Sequence, residues 1–91
     1  MANRRELKKS IHEISGELIS ECLTYQHFHP DIPEEKINSI ITEIISHRND
    51  YLVRANKPDG KDNPALVKKH YREIFNDIQN KTIPLLDKLG A

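Results

Sequence analysis

INSIITEIISHRNDYLVRA, residues 37–55, places isoleucine at 37, 40, 41, 44 and 45, then Tyr51, Leu52 and Ala55. These steps of three and four trace one face of an α-helix, so the stretch predicts the central helix of the chain. Arg48 falls inside the same apolar stripe. Its charge persists at ordinary pH, so it must pair with an acid, stack on a ring, or carry its head to water over its own stem.

Upstream, Leu7, Ile11, Ile14, Leu18, Cys22 and Tyr25 form a second stripe at helical spacing, and Asn3 with Glu6 supplies a capping pattern at its start. Ile19 and Leu23 lie off this stripe, with Gly16 and His12 on the same flank, so the first helix has a smaller second contact face. Gly16 costs roughly 1 kcal/mol relative to alanine in mid-helix. The helix either tolerates that cost or makes room there for another backbone. Glu6, Glu13, Glu17 and Glu21 gather on a further side, the pattern of a solvated face.

HFHPDIP, residues 27–33, breaks the helix, because Pro30 forces His29 into an extended conformation and Pro33 has no amide proton. Asp31 with Glu34 repeats the capping pattern, which predicts a second helix from about Ile32 to Asn56. KPDGKD, residues 57–62, is turn chemistry without an apolar residue, and Asn63 and Pro64 then serve as cap and first helical residue. The third helix carries Val67, Tyr71, Ile74, Ile78, Leu85 and Leu89 on one side with Phe75 and Leu86 on its flank, and it ends at Gly90. Pro84 interrupts it, yet Leu85 and Leu89 stay in phase, so a kinked or restarted helix is expected.

The sequence thus predicts an all-α fold in a single helical domain, residues 1–91. Its three helices form an antiparallel up-down-up bundle, the third kinked or broken near Pro84. At 91 residues with 36% apolar content, no Trp, three Tyr and two Phe, the core is modest and built from Ile and Leu, which makes self-association worth expecting. Fourteen basic and fourteen acidic residues cancel, which disfavours bulk attraction to nucleic acid or to an anionic membrane. A single cysteine, Cys22, excludes an intrachain disulfide and a cysteine-based zinc site. No apolar run approaches the ~20 residues that span a bilayer, and MANRRELKK leads into charge instead of a signal-peptide core. No membrane association and a cytoplasmic location are the corresponding expectations.

Equal distance from a turn sets approximate height in a helical hairpin. That reckoning puts Arg48 beside Ser10, Ile11, His70 and Tyr71, with Glu13 and Tyr71 as its expected partners. In one reading Arg48 only covers the core; in the other it is an anion-binding or interface residue. The same reckoning brings His12, His47 and His70 to one height, with Glu73 near His70, as weak metal candidates. Helical phase opposes convergence, because His12 lies far from the main stripe of its helix. His27 and His29 are two ligands at most, short of the three or four zinc takes from a protein. Cys22 sits on the apolar stripe and reads as an inert core thiol, and the glutamate pairs sit on a solvated face that raises no pKa. With no phosphate-binding glycine loop, no cofactor is expected.

Arg4, Arg5, Lys8 and Lys9 form one basic cluster and Lys68, Lys69 and Arg72 another, candidates for a positive patch that binds nucleic acid or another anion. The favoured expectation is a non-catalytic module that binds a protein partner or itself, as a homodimer in the latter case. Arg48, Tyr71, Ile19, Leu23, Phe75 and Leu86 are its interaction candidates, because a monomeric three-helix core need not bury so many apolar positions. Ile83 is a further unneeded apolar residue of this kind.

Overall fold

The computed structural model describes residues 4–56 and 64–90. The caps expected at Asn3 and Asn63 and the KPDGKD turn lie outside the described residues. Among the described residues the fold is all-α, with α1 (Arg4–Phe28), α2 (Glu34–Ala55) and a third helix whose regular part is α3 (Pro64–Asp77). That third helix continues as a π-helical turn, Ile78–Thr82, and a 3₁₀ segment, Ile83–Gly90. The molecule is a rod of 53 × 19 × 18 Å.

The sequence stripes become the core. Leu7, Ile11, Leu18 and Cys22 of α1, Ile37, Ile40, Ile44, Tyr51 and Ala55 of α2, and Tyr71, Ile74, Ile78, Leu85 and Leu89 of the third helix are all buried. They divide into two clusters. Leu7, Ile11, Tyr51, Ala55, Tyr71, Ile74 and Ile78 pack at one end, where α1 begins and α2 finishes. Leu18, Cys22, Ile37, Ile40, Ile44, Leu85 and Leu89 pack at the other. Burial pushes the Cys22 thiol up, assisted by the charge of Glu21, so it stays protonated.

The start of α2 departs from the expected cap. Pro33, not Asp31, is the N-cap; it is extended at φ −57° and ψ 133° and makes no side-chain hydrogen bond. Its carbonyl accepts from the amides of Lys36 and Ile37 at 3.0 and 3.4 Å. The helix therefore begins at Glu34, and Ile32 folds back against the far core cluster. Two prolines within four residues leave Asp31 in a turn closed by Ile32 N–H on the His29 carbonyl at 3.1 Å, too early to reach the first free amides of α2.

Near Pro84 the third helix widens without stopping. A proline in a helix loses its own amide bond and crowds the carbonyl four residues back. Here the Ile83 amide donates to the carbonyl of Ile78, five residues back, a π-type bond that opens the turn just before the proline ring. The chain then tightens to 3₁₀ and brings Leu85 and Leu89 back onto the core side. This is the kink expected from the sequence.

Ile44 has no exposed surface, whereas Ile83 is 42% exposed. Ile44→Ala is expected to cost about 2–5 kcal/mol in urea unfolding, and Ile83→Ala no more than about 0.5 kcal/mol.

Candidate functional site

A polar seam separates the two clusters. Ser15 and Thr82 are buried, and His47 lies at their level on α2. Thr82 Oγ1 hydrogen-bonds both Tyr51 Oη at 2.5 Å and His47 Nδ1 at 2.8 Å. A hydroxyl carries one proton and two lone pairs, so it serves both partners at once. Burial raises the Tyr51 phenol pKa, which keeps its proton in place.

Beside the seam, Arg54 Nη1 reaches Asp77 Oδ2 at 2.7 Å and Asp50 Oδ2 at 3.7 Å, and Lys81 Nζ lies 3.7 Å from Asp77 Oδ1. The Arg54 guanidinium also sits 5.7 Å from the centre of the Tyr51 ring. His70 Nε2 donates to the Arg54 carbonyl at 2.6 Å. The Arg54 hydrogen bond holds the Asp77 carboxyl below its ordinary pKa, with desolvation acting against it and Lys81 adding to it.

The arginine that joins α2 to the third helix is therefore Arg54, not Arg48. Arg48 is half-buried and donates from Nε and Nη2 to Asn49 Oδ1 at 3.3 and 3.2 Å, with neither Glu13 nor Tyr71 as partner. Glu13 lies 4.0 Å from Lys9, and Tyr71 is core. The height reckoning assumed a tight second connection. The observed partners of α2 lie about ten residues further along the third helix than it implied, so α3 begins beyond the end of α2. That overhang makes the rod longer than the ~37 Å of a 25-residue helix.

The histidines separate for the same reason. His47 binds Thr82, His70 binds the Arg54 carbonyl, and His12 is exposed. His29 stacks on Tyr25 at 4.1 Å, and His27 meets the edge of Phe28. Among the described residues, no three His, Cys, Asp or Glu side chains are grouped to hold a metal, the set with Glu73 included. An open recess of about 320 Å³ lies at the turn end, against Tyr25, His29, Lys36 and Leu89. It is shallow and mixed in character.

Two features remain at the surface. The first is charge. Divided at the seam, the half holding residues 4–14, 48–56 and 64–81 has ten basic and five acidic side chains. The half holding 16–46 and 83–90 has two basic and seven acidic. Both basic clusters, Arg4, Arg5, Lys8, Lys9 and Lys68, Lys69, Arg72, fall in the first half, so a neutral chain folds into a rod with a positive and a negative end.

The second is an open helix face. His47, Arg54 and Glu43 bond Thr82, Asp77 and Lys88, so that flank of α2 faces the third helix. At 100° per residue Ile41, Ile45, Leu52 and Arg48 fall on the opposite flank. Since α1 runs antiparallel and both helices are right-handed, its flank on this face carries Lys8, His12, Gly16, Ile19 and Leu23. Leu23 is 52% exposed, while Ile19, Ile41, Ile45 and Leu52 are half-buried. Phe75 and Leu86 pack against the core from the third helix, as Ile19, Ile41 and Leu52 do in part from α1 and α2. Of the expected interaction residues, Leu23 is the one left exposed on this face, at 52%, while Ile19 is half-buried beside it.

No family model, curated protein or solved structure matches this chain significantly.

Two outcomes test the seam. Thr82→Val leaves the buried Tyr51 hydroxyl without its partner and should cost about 1–3 kcal/mol by chemical denaturation. Asp77 has a lowered folded pKa, so its stabilising contribution is present above the ordinary carboxylate pKa and is lost as pH falls through the depressed value. Arg54 and Asp77 keep 27% of their side-chain surface exposed, so screening limits the pair to about 1 kcal/mol. Asp77→Asn should lower the neutral-pH melting point by a few degrees and flatten its fall on acidification.

Proposed function

We propose that this chain is a small non-catalytic binding module that docks a helical protein surface against the open face of α1 and α2. The observation that carries this reading is the apolar strip of Ile19, Leu23, Ile41, Ile45 and Leu52 on the side opposite the third helix. Single exposed apolar residues are ordinary on a protein surface, but a continuous strip along two neighbouring helices is the form of a docking groove. Two packed helices offer ridges and a groove into which a further helix fits. The strip needs no cofactor to explain it, and Arg48 at its edge supplies a charge that selects and orients a partner.

Polyanion binding through the basic end is the competing use of the surface. The acidic half offsets that end, and the basic side chains are spread over two helices, α1 and α3. The apolar strip also has no role in that reading.

A photo-reactive residue introduced at position 23, on the strip, should form a discrete cross-linked product in living cells that make the protein. The same residue at position 83, exposed on the third helix away from the strip, should form none. Cross-linking at neither position, or equally at both, would remove the docking reading.

A further inference from the structure

We infer that the occupant of the open α1–α2 face is an amphipathic helix of another protein, with carboxylates bordering its apolar side at one end; this rests on the docking reading above. The charges of the face select that chemistry. At 100° per residue, Arg5 and Lys8 of α1 and Arg48 of α2 lie on the open flanks, whereas Glu6, Glu13, Glu17 and Glu21 all fall on the other side of α1. The three cations are unmatched. Arg5 and Lys8 have no acidic partner among the described residues, and Arg48 bonds only the neutral side-chain amide of Asn49. Against the third helix the pattern is the reverse, because Arg54 and Lys88 are paired there with Asp77 and Glu43.

The helical hairpin fixes where those cations stand. Phe28 and Glu34 bound the first turn, so residues equally distant from it lie level, which puts Ile45 beside Glu17, Arg48 beside Ile14 and Leu52 beside Ser10. From the turn outward the face therefore presents Leu23, Ile41, Ile19 and Ile45, then Arg48 and Leu52, then Lys8 and Arg5. Apolar side chains lead into cations. Leu23 to Lys8 spans about 22 Å, four turns of a helix laid along the groove. A helix in a groove anchors through apolar residues at steps of three and four, and a guanidinium takes a carboxylate through two parallel hydrogen bonds. Glu34, on the same flank at the turn, repels a carboxylate there and so fixes which end of the occupant is acidic.

Two other occupants fit less well. The acidic strip of α1 has Ser10, Ser20 and Thr24 among its glutamates and no apolar side chain, so it gives a second copy nothing to set into the groove. An anionic membrane takes up apolar side chains that protrude. Of the apolar residues on this face Leu23 is exposed, while Ile19, Ile41, Ile45 and Leu52 are half-buried.

The test starts from the product cross-linked at position 23, whose partner segment is read by mass spectrometry. Expected is a segment with apolar residues at steps of three and four and with Asp or Glu clustered at one end. A synthetic peptide of that segment should bind the purified full chain with an affinity that falls as salt rises. Arg48→Glu should weaken that binding roughly tenfold or more, and a peptide with its carboxylates replaced by lysine should prefer the Arg48→Glu chain to the wild type. That reversal needs a folded variant, so it separates lost charge from lost structure. A segment without acidic residues overturns the inference, as does an affinity indifferent to salt and to Arg48→Glu; either leaves the docking reading standing. A product of twice the chain's own mass also overturns it, in favour of a second copy. No protein product at all, with or without binding of the chain to phosphatidylserine vesicles, ends both.

Discussion

The buried hydroxyl of Thr82 sets how the third helix lies against the other two. It is 2% exposed, it bonds Tyr51 and His47 of α2, and moving it along the bundle would leave buried polar atoms without partners. The other cross-links share its register: Arg54 with Asp77 on one side, Glu43 with Lys88 on the other. Thr82 reaches that position because Pro84 denies the helix its regular bonding. The widened turn, closed by the Ile83 amide on the Ile78 carbonyl, rotates Thr82 inward between Ile78 and Leu85. A proline, a π turn and a hydroxyl thus form one device that joins two apolar clusters while keeping them distinct.

From that register come the surface properties with functional content. With the third helix held on one side of the α1–α2 layer, the other side keeps its apolar strip. The same register carries Lys68, Lys69 and Arg72 to the end where α1 begins with Arg4, Arg5, Lys8 and Lys9, so charges that cancel in composition segregate in space.

Much of the architecture was legible in the residue pattern. Apolar residues at steps of three and four, interrupted by Pro30 and Pro33 and perturbed at Pro84, predict the described helices and the irregularity in the last. Leu23 was recognisable as surplus to a core because it stands off the main stripe of α1, whereas Ile19, equally off the stripe, packs in part against the core. The ion pair of Arg54 and Asp77, the engagement of His70 by a carbonyl and the burial of Thr82 were not legible. Each depends on the offset between α2 and the third helix, and a shift of about ten residues exchanges one arginine for another at the contact. Helical phase did hold a usable signal, since Arg54 falls on the α2 flank shared with His47 and Glu43, whereas Arg48 falls on the opposite one. Asp31 misled in a similar way, because a capping pattern specifies residue types but not whether two nearby prolines let the side chain reach the amides.

By itself the sequence determined the helical class, the stripes that form the core and the place where the third helix must deform. These follow from backbone bonding and from the period of apolar residues, which are local along one chain segment. Tertiary structure alone decided which arginine bonds the third helix, which histidines are engaged, which flank of α1 and α2 stays open and that the charge divides by ends. Those outcomes depend on the axial offset between helices, and that offset is set by a few buried polar contacts between residues 31 and 35 positions apart. No periodic pattern encodes such contacts, because one hydroxyl meeting one phenol satisfies both wherever along the helices they meet.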